Sequence, residues 1–199
     1  MDRHSILPRE FYARAPQQVA RELLGKVLVH GATAGRIVET EAYLGREDLA
    51  AHASRGITPR TRVLFGPPGH AYVYFIYGMY ECLNLVAEPD GTPGCVLIRA
   101  LEPLEGVETM QQRRPGCRRV EELAAGPGRL TVAMGISRRH SGADVTVGPL
   151  TVHDRPGGRF DIDVTPRIGI RKCADWPLRF VIRGHPCASK LRLARPSTA

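Results

Sequence analysis

Apolar residues recur along this chain at two spacings, and the switches between them mark out its elements. After Pro16, Val19/Leu23 and Ala20/Leu24 fall four apart, a helical spacing that proline can open and Gly25 can close. Residues 27–30 then read as a strand, 31–35 as a turn, and 36–43 as the hairpin partner. Residues 48–52 suit a short helical turn, and 54–69, rich in Gly, Pro, Thr and Arg, a long loop. Residues 72–77 and 80–87 are strand-like runs around Gly78-Met79, where the leading glycine suits a type II′ turn. Residues 89–94 make another turn and 95–101 a buried strand. Helices are expected over 104–113, over 120–125, and after the break at Gly126-Pro127-Gly128. Residues 145–152 predict a hairpin through Gly148-Pro149, and 178–182 are the clearest strand of the tail. Strands mostly follow one another through tight turns and do not alternate with helices. That pattern predicts an α+β fold, one domain over residues 1–199, with a curved antiparallel sheet and helices packed around it.

Composition adds a partner class. The 199 residues are 43% hydrophobic, ordinary for a globular chain with a substantial core. They carry 28 basic and 20 acidic side chains, a formal charge of +8. Such an excess favours a polyanion, because each neutralised phosphate releases condensed counterions. Arginine supplies nearly all of it, the only lysines being Lys26, Lys172 and Lys190. A coding bias toward arginine codons explains the same excess equally well, so charge alone names no chemistry. The five cysteines are scattered without a C-x-x-C pair, which signals neither a zinc knuckle nor a disulfide framework. No run approaches a membrane span, and the start lacks the apolar stretch of a signal peptide. A soluble, cytoplasmic protein is the expectation.

Two stretches carry candidate chemistry. Strand alternation puts Glu39, Glu41 and Tyr43 on one face. A solvated edge strand would look the same, but so would a general base set beside a ring-binding surface. The second stretch, residues 71–80, holds four of the six tyrosines. Aromatic strands commonly belong to the core. Tyr77, however, sits beside a glycine turn and is expected to project, as a wedge between base pairs would. Asp48 and His52, four apart, could join Glu41 around a metal, yet no second histidine falls at ligand spacing. Gly126-Pro127-Gly128-Arg129 could offer backbone N–H groups to a phosphate, or simply separate two helices. No phosphate-loop or dinucleotide fingerprint is present.

Taken in order, longer motifs are familiar. Residues 36–45 (RIVETEAYLG), Asp48, His52, Thr58-Pro59-Arg60 and Phe65-Gly66-Pro67-Pro68-Gly69 resemble the alkyladenine (3-methyladenine) DNA glycosylase family. So do Tyr72-Val73-Tyr74, Tyr77-Gly78-Met79, Asn84, residues 95–103 (CVLIRALEP), Gly126-Pro127, residues 167–170 and residues 177–180. The match runs along nearly the whole chain and resembles the compact, bacterial-type form. Leu64 departs from it, standing where many members have methionine.

The resemblance implies a hydrolase without metal or cofactor that acts on duplex DNA containing damaged purines, expected to be a monomer. By position, Glu41 matches the general base, while Arg99 and the backbone carbonyl of Ile168 match groups that hold the attacking water. Tyr43, His52 and Tyr74 match the base-pocket walls, with Tyr43 and His52 expected on one side of the base and Tyr74 on the other. Asn84 matches a residue that excludes guanine through its 2-amino group, and Tyr77 the residue that fills the gap left by a flipped nucleotide. Arg55, Arg60, Arg62 and Met79 are candidate DNA contacts. Two rivals remain on sequence grounds. One is a non-catalytic basic nucleic-acid-binding protein with a tyrosine stacking platform. The other is a carbohydrate hydrolase using Glu39 and Glu41, which on one strand face could not readily flank a sugar.

Overall fold

The architecture is a curled antiparallel sheet wrapped by short helices, the α+β arrangement that the strand spacing predicts. The structure, a computed structural model, describes residues 5–76, 78–155 and 158–189. Its strands are β1 (Val27–His30), β2 (Thr33–Tyr43), β3 (Ala71–Ile76), β4 (Tyr80–Val86), β5 (Cys95–Glu105), β6 (Leu150–His153), β7 (Ile162–Thr165) and β8 (Arg179–Ile182). Its helices are α1 (Arg9–Tyr12), α2 (Pro16–Leu23), α3 (Val107–Arg113) and α4 (Pro127–Met134). Strand order is β3-β4-β5-β2-β1-β6, with β8 joined to β2 and carrying β7 outside it.

Strand β2 organises the molecule. One edge pairs with β5 along its whole length; the other pairs first with β1, then through Glu39–Glu41 with β8. The carboxylate-bearing half is therefore hydrogen-bonded on both sides, and the solvated-edge reading of Glu39 and Glu41 is wrong. Helix α2 covers one face of this half, where the Thr40 hydroxyl donates to the Ala20 carbonyl at 2.8 Å. Val19, Ala20 and Leu23 are buried there, as their spacing predicts. Glu39 and Glu41 point the other way.

The β2–β5 ladder is irregular where the charges lie. Ile37 pairs with Leu101, Glu39 with Ala100 and Thr40 with Ile98, so Val38 and Arg99 are passed over. Bulges of this kind bend a strand and re-aim its side chains. Here the re-aimed side chain is Arg99, which reaches both carboxylates of β2.

Several expected elements differ. Residues 104–105 extend β5, and the helix waits until Val107, after a left-handed Gly106 at φ 66°. Residues 120–125 form only one 3-10 turn (Val120–Glu122), because Ala124 and Ala125 lie along β5 beyond the end of β4. No hairpin spans 145–152. Asp144 there binds the amide and hydroxyl of Thr146 and pairs with Arg9, and only β6 adds to the sheet. Asp48 does not share a helix face with His52. Its carboxylate accepts the backbone N–H groups of Leu44 and Ala50, the local bonding that disfavours helix, and the 3-10 turn begins at His52. Strand β7 had no recognisable signal. Among the described residues no helix is long and apolar enough to cross a membrane.

Candidate active site

Glu41 lies fully buried opposite Leu97 of β5 and Arg179 of β8. Its Oε1 accepts the Ile168 backbone N–H at 2.8 Å and lies 3.2 Å from Nη1 of Arg99. Its Oε2 accepts the Tyr43 hydroxyl at 3.0 Å. Among the described residues, one oxygen is thus doubly held and the other has a single donor. Burial, and then the negative charge of Glu41, push the Tyr43 hydroxyl well above its ordinary pKa, so the phenol stays protonated and donates. Ile168 contributes its amide to this site; the resemblance implied its carbonyl.

Arg99 is anchored on its far side by Glu39, its Nε lying 2.9 Å from Oε1. Burial alone would lower the Arg99 pKa, but Glu41 and Glu39 raise it further, so the cation is secure. Glu39 also accepts Nε of Arg179 at 2.7 Å and the Ser189 N–H at 2.6 Å. Burial pushes Glu39 up; Arg99 and Arg179 outweigh it and hold the carboxyl below its usual range. Glu39 is therefore consumed in ion pairs, which removes the carbohydrate-hydrolase reading.

Two recesses meet at Tyr43 and Tyr74. The first, about 120 Å³, is bounded by Tyr43, His52, Leu64, Tyr72, Tyr74 and Asn84. The second, about 390 Å³, is bounded by Tyr43, Tyr74, Tyr80, Arg99, Gly128 and Ile168. Three of its boundary residues, Tyr43, Arg99 and Ile168, are the ones that hold Glu41. Gly128 at the start of α4 is needed there, since a Cβ would stand 2.6 Å from the Tyr80 ring.

The aromatic walls are not arranged as expected. His52 stands edge-on against Tyr74, ring centroids 4.5 Å apart and planes at 71°. Its Nδ1 lies 3.0 Å from the Tyr72 hydroxyl. Direct ring contact leaves no room for a base between His52 and Tyr74, so His52 belongs to the Tyr72–Tyr74 wall in this structure. Tyr43 is backed by Arg167, whose guanidinium carbon lies 4.7 Å from the ring centre. Arg167 is paired with Asp48 and donates to the Ala42 carbonyl at 3.0 Å, both charged side chains being fully buried. Asp48 is thereby unavailable to join Glu41 and His52 around a metal. Among the described residues no group of three or more His, Cys, Asp or Glu could hold one.

Burial, with the Arg60 and Arg55 cations nearby, lowers His52 to about 4, so its ring is neutral at ordinary pH. Asn84 is buried on β4, its amide nitrogen donating to the Tyr72 carbonyl at 3.2 Å. Arg55, Arg60 and Arg62 are exposed, and Arg60 lies over the Tyr74 ring at 5.2 Å. Met79 is 64% exposed, beside the half-exposed Tyr80. Tyr77 lies outside the described residues.

The residues that sequence reasoning passed over are Arg167, Arg179 and the structural use of Asp48 and Glu39. A signal was available. Two glutamates, and an arginine inside the apolar run 95–101, require buried charges to find partners.

A family model described as "Methylpurine-DNA glycosylase (MPG)" matches residues 10–186. A Methanocella arvoryzae protein named "Putative 3-methyladenine DNA glycosylase" is 54% identical over 193 residues, covering 93% of this chain and 96% of its own. A protein of the same name from Koribacter versatilis is 51% identical over 197 residues, covering 94% of each chain. Another, from Burkholderia lata, is 49% identical over 185 residues, covering 91% of this chain and 89% of its own.

Proposed function

Since this chain belongs to the methylpurine-DNA glycosylase family, hydrolases of the N-glycosidic bond, we propose that it flips alkylated or deaminated purines out of duplex DNA and releases them with water activated by Glu41. The observation that carries this reading is the Glu41 carboxylate, held by Ile168 and Arg99 on one oxygen and by one hydroxyl on the other. That arrangement suits a base that must be oriented while one oxygen exchanges its partner. The recess bounded by Tyr43, Arg99 and Ile168 brings solvent within one side chain of the carboxylate. When the Tyr43 hydroxyl turns from Oε2, a water takes its place and faces the sugar.

Chemistry on a stacked base requires extrusion, at a cost of a few kcal/mol that damage reduces. Tyr77 offsets part of that cost by filling the vacated position. The extruded purine displaces His52 from its edge contact with Tyr74 and takes the space against Tyr43. Alkylation at N3 or N7 leaves the base cationic, which aromatic faces attract and a neutral His52 does not oppose. The water oxygen attacks C1′ as its proton passes to Glu41. The C1′–N bond breaks and its electron pair leaves with the base, which departs neutral when it was alkylated; a deaminated purine, neutral at the start, takes up a proton as it leaves. The negative carboxylate also stabilises the oxocarbenium-like centre. Water as nucleophile leaves an abasic site and no covalent enzyme adduct. Asn84 rejects guanine by its 2-amino group, and Arg55, Arg60, Arg62 and Met79 contact the DNA around the lesion. The enzyme acts as a monomer.

The test is Glu41→Gln on methylated duplex DNA in single-turnover conditions. Lesion binding is expected to persist while released 3-methyladenine falls by at least ~100-fold, the scale of general-base catalysis. Release near the parent rate would take Glu41 out of this role.

A further inference from the structure

We propose that Glu39 and Arg179 are positioning residues: they set the charge and aim of Arg99 and, through it, the basicity of Glu41. The proposal rests on Glu41 being the base that activates water. Two anions and two cations are buried together, Glu39 and Glu41 with Arg99 and Arg179. Glu39 Oε1 takes Nε from both arginines, at 2.9 Å and 2.7 Å. With its Nε so engaged, Arg99 brings Nη1 to 3.2 Å from Glu41. The bulge that passes over Arg99 in the β2–β5 ladder permits this double reach.

A guanidinium matches a carboxylate best through two parallel N–H donors. Glu39 takes the Nε of Arg99, so the side-on donor pair that includes Nε is not offered to Glu41. Were Arg99 free, it would close on Glu41 with both donors, cover the oxygen needed for water, and weaken it as a base. Arg179, opposite Glu41 in the β2–β8 register and aimed at Glu39, balances the second anion. The Ser189 N–H at 2.6 Å fixes the other oxygen of Glu39, so the carboxylate cannot rotate away.

The remaining groups around Glu41 are accounted for. The Tyr43 hydroxyl from β2 donates to it, Tyr74 of β3 stays protonated, and burial raises the Cys82 thiol of β4 against the opposing pull of Tyr74 and Arg99, so it stays neutral. Arg167 also feels Glu41, but its charge is matched by Asp48.

The experiment is the pH profile of single-turnover 3-methyladenine release from methylated duplex DNA. Glu39→Gln removes one anion, so the acid limb is expected at lower pH and the plateau about tenfold or more below the parent, as a weaker base dictates. The double variant Glu39→Gln/Arg179→Met removes one charge of each sign, and is expected to bring the limb back and recover rate. A purely structural role lowers the folded fraction and leaves the limb where it was. An unmoved limb in folded Glu39→Gln, or a double variant no better than the single, overturns the proposal. Should Glu39→Gln not fold, Arg179→Met reads the same coupling with opposite sign, a limb at higher pH; an unmoved limb there also overturns it. Glu41→Gln run alongside separates the two readings. If it abolishes release while these profiles stay unmoved, only the positioning proposal fails.

Discussion

The Tyr43 hydroxyl donates to Oε2 of Glu41 at 3.0 Å, so a wall of the candidate base pocket also occupies the working oxygen of the candidate base. Binding of a purine against Tyr43 and exposure of the Glu41 oxygen are therefore coupled through one side chain.

Tyr43→Phe separates these two roles. The ring remains, while Glu41 loses a donor that favours its charged form. The acid limb of the release profile is expected at higher pH, with the plateau within ~tenfold of the parent. A limb that stays in place would show that the hydroxyl does not act on Glu41 in the working enzyme.

His52 carries a pH prediction for stability. Its folded pKa of about 4 is below the ordinary 6.5, so the folded state refuses a proton that the unfolded chain accepts. Its contribution is complete above pH 6.5 and is lost progressively as pH falls toward 4. In His52→Gln, the fall of melting temperature between those pH values is expected to be shallower than in the parent. The His52 ring resonances in NMR should likewise begin to titrate only near pH 4.

Asp48 and Arg167 form a buried pair with no exposed side-chain surface. Removing one partner strands the other charge, at a cost of about 3–5 kcal/mol. Asp48→Asn is expected to destabilise by that order in urea unfolding. The double variant Asp48→Asn/Arg167→Met should lose clearly less than the sum of the two single changes. Additive losses would mean that the two side chains do not depend on each other.

Much of the frame was legible in the chain. Val19, Ala20 and Leu23 declared their helix by spacing, and β1, β2, β4 and β5 were marked by apolar runs between turn residues. Expectations failed where a side chain competed for backbone groups, as Asp48 and Asp144 do, or where a short polar strand such as β7 depended on its neighbour. The candidate site was half legible. Register put Glu39, Glu41 and Tyr43 on one face, the family resemblance picked out Glu41 and Tyr74, and the edge contact of His52 with Tyr74 was not legible.

Local periodicity determined which residues share a face, because the directions of successive side chains follow from backbone geometry alone. It therefore placed Glu39, Glu41 and Tyr43 together. Tertiary structure alone decided their partners: Glu39 meets Arg179 from 140 residues away, and Arg167 reaches Asp48 across 119. Such pairings depend on which strands become neighbours, and on the bulge that turns Arg99 between two carboxylates. Burial then enforces them, since a charge withdrawn from water must find its opposite nearby.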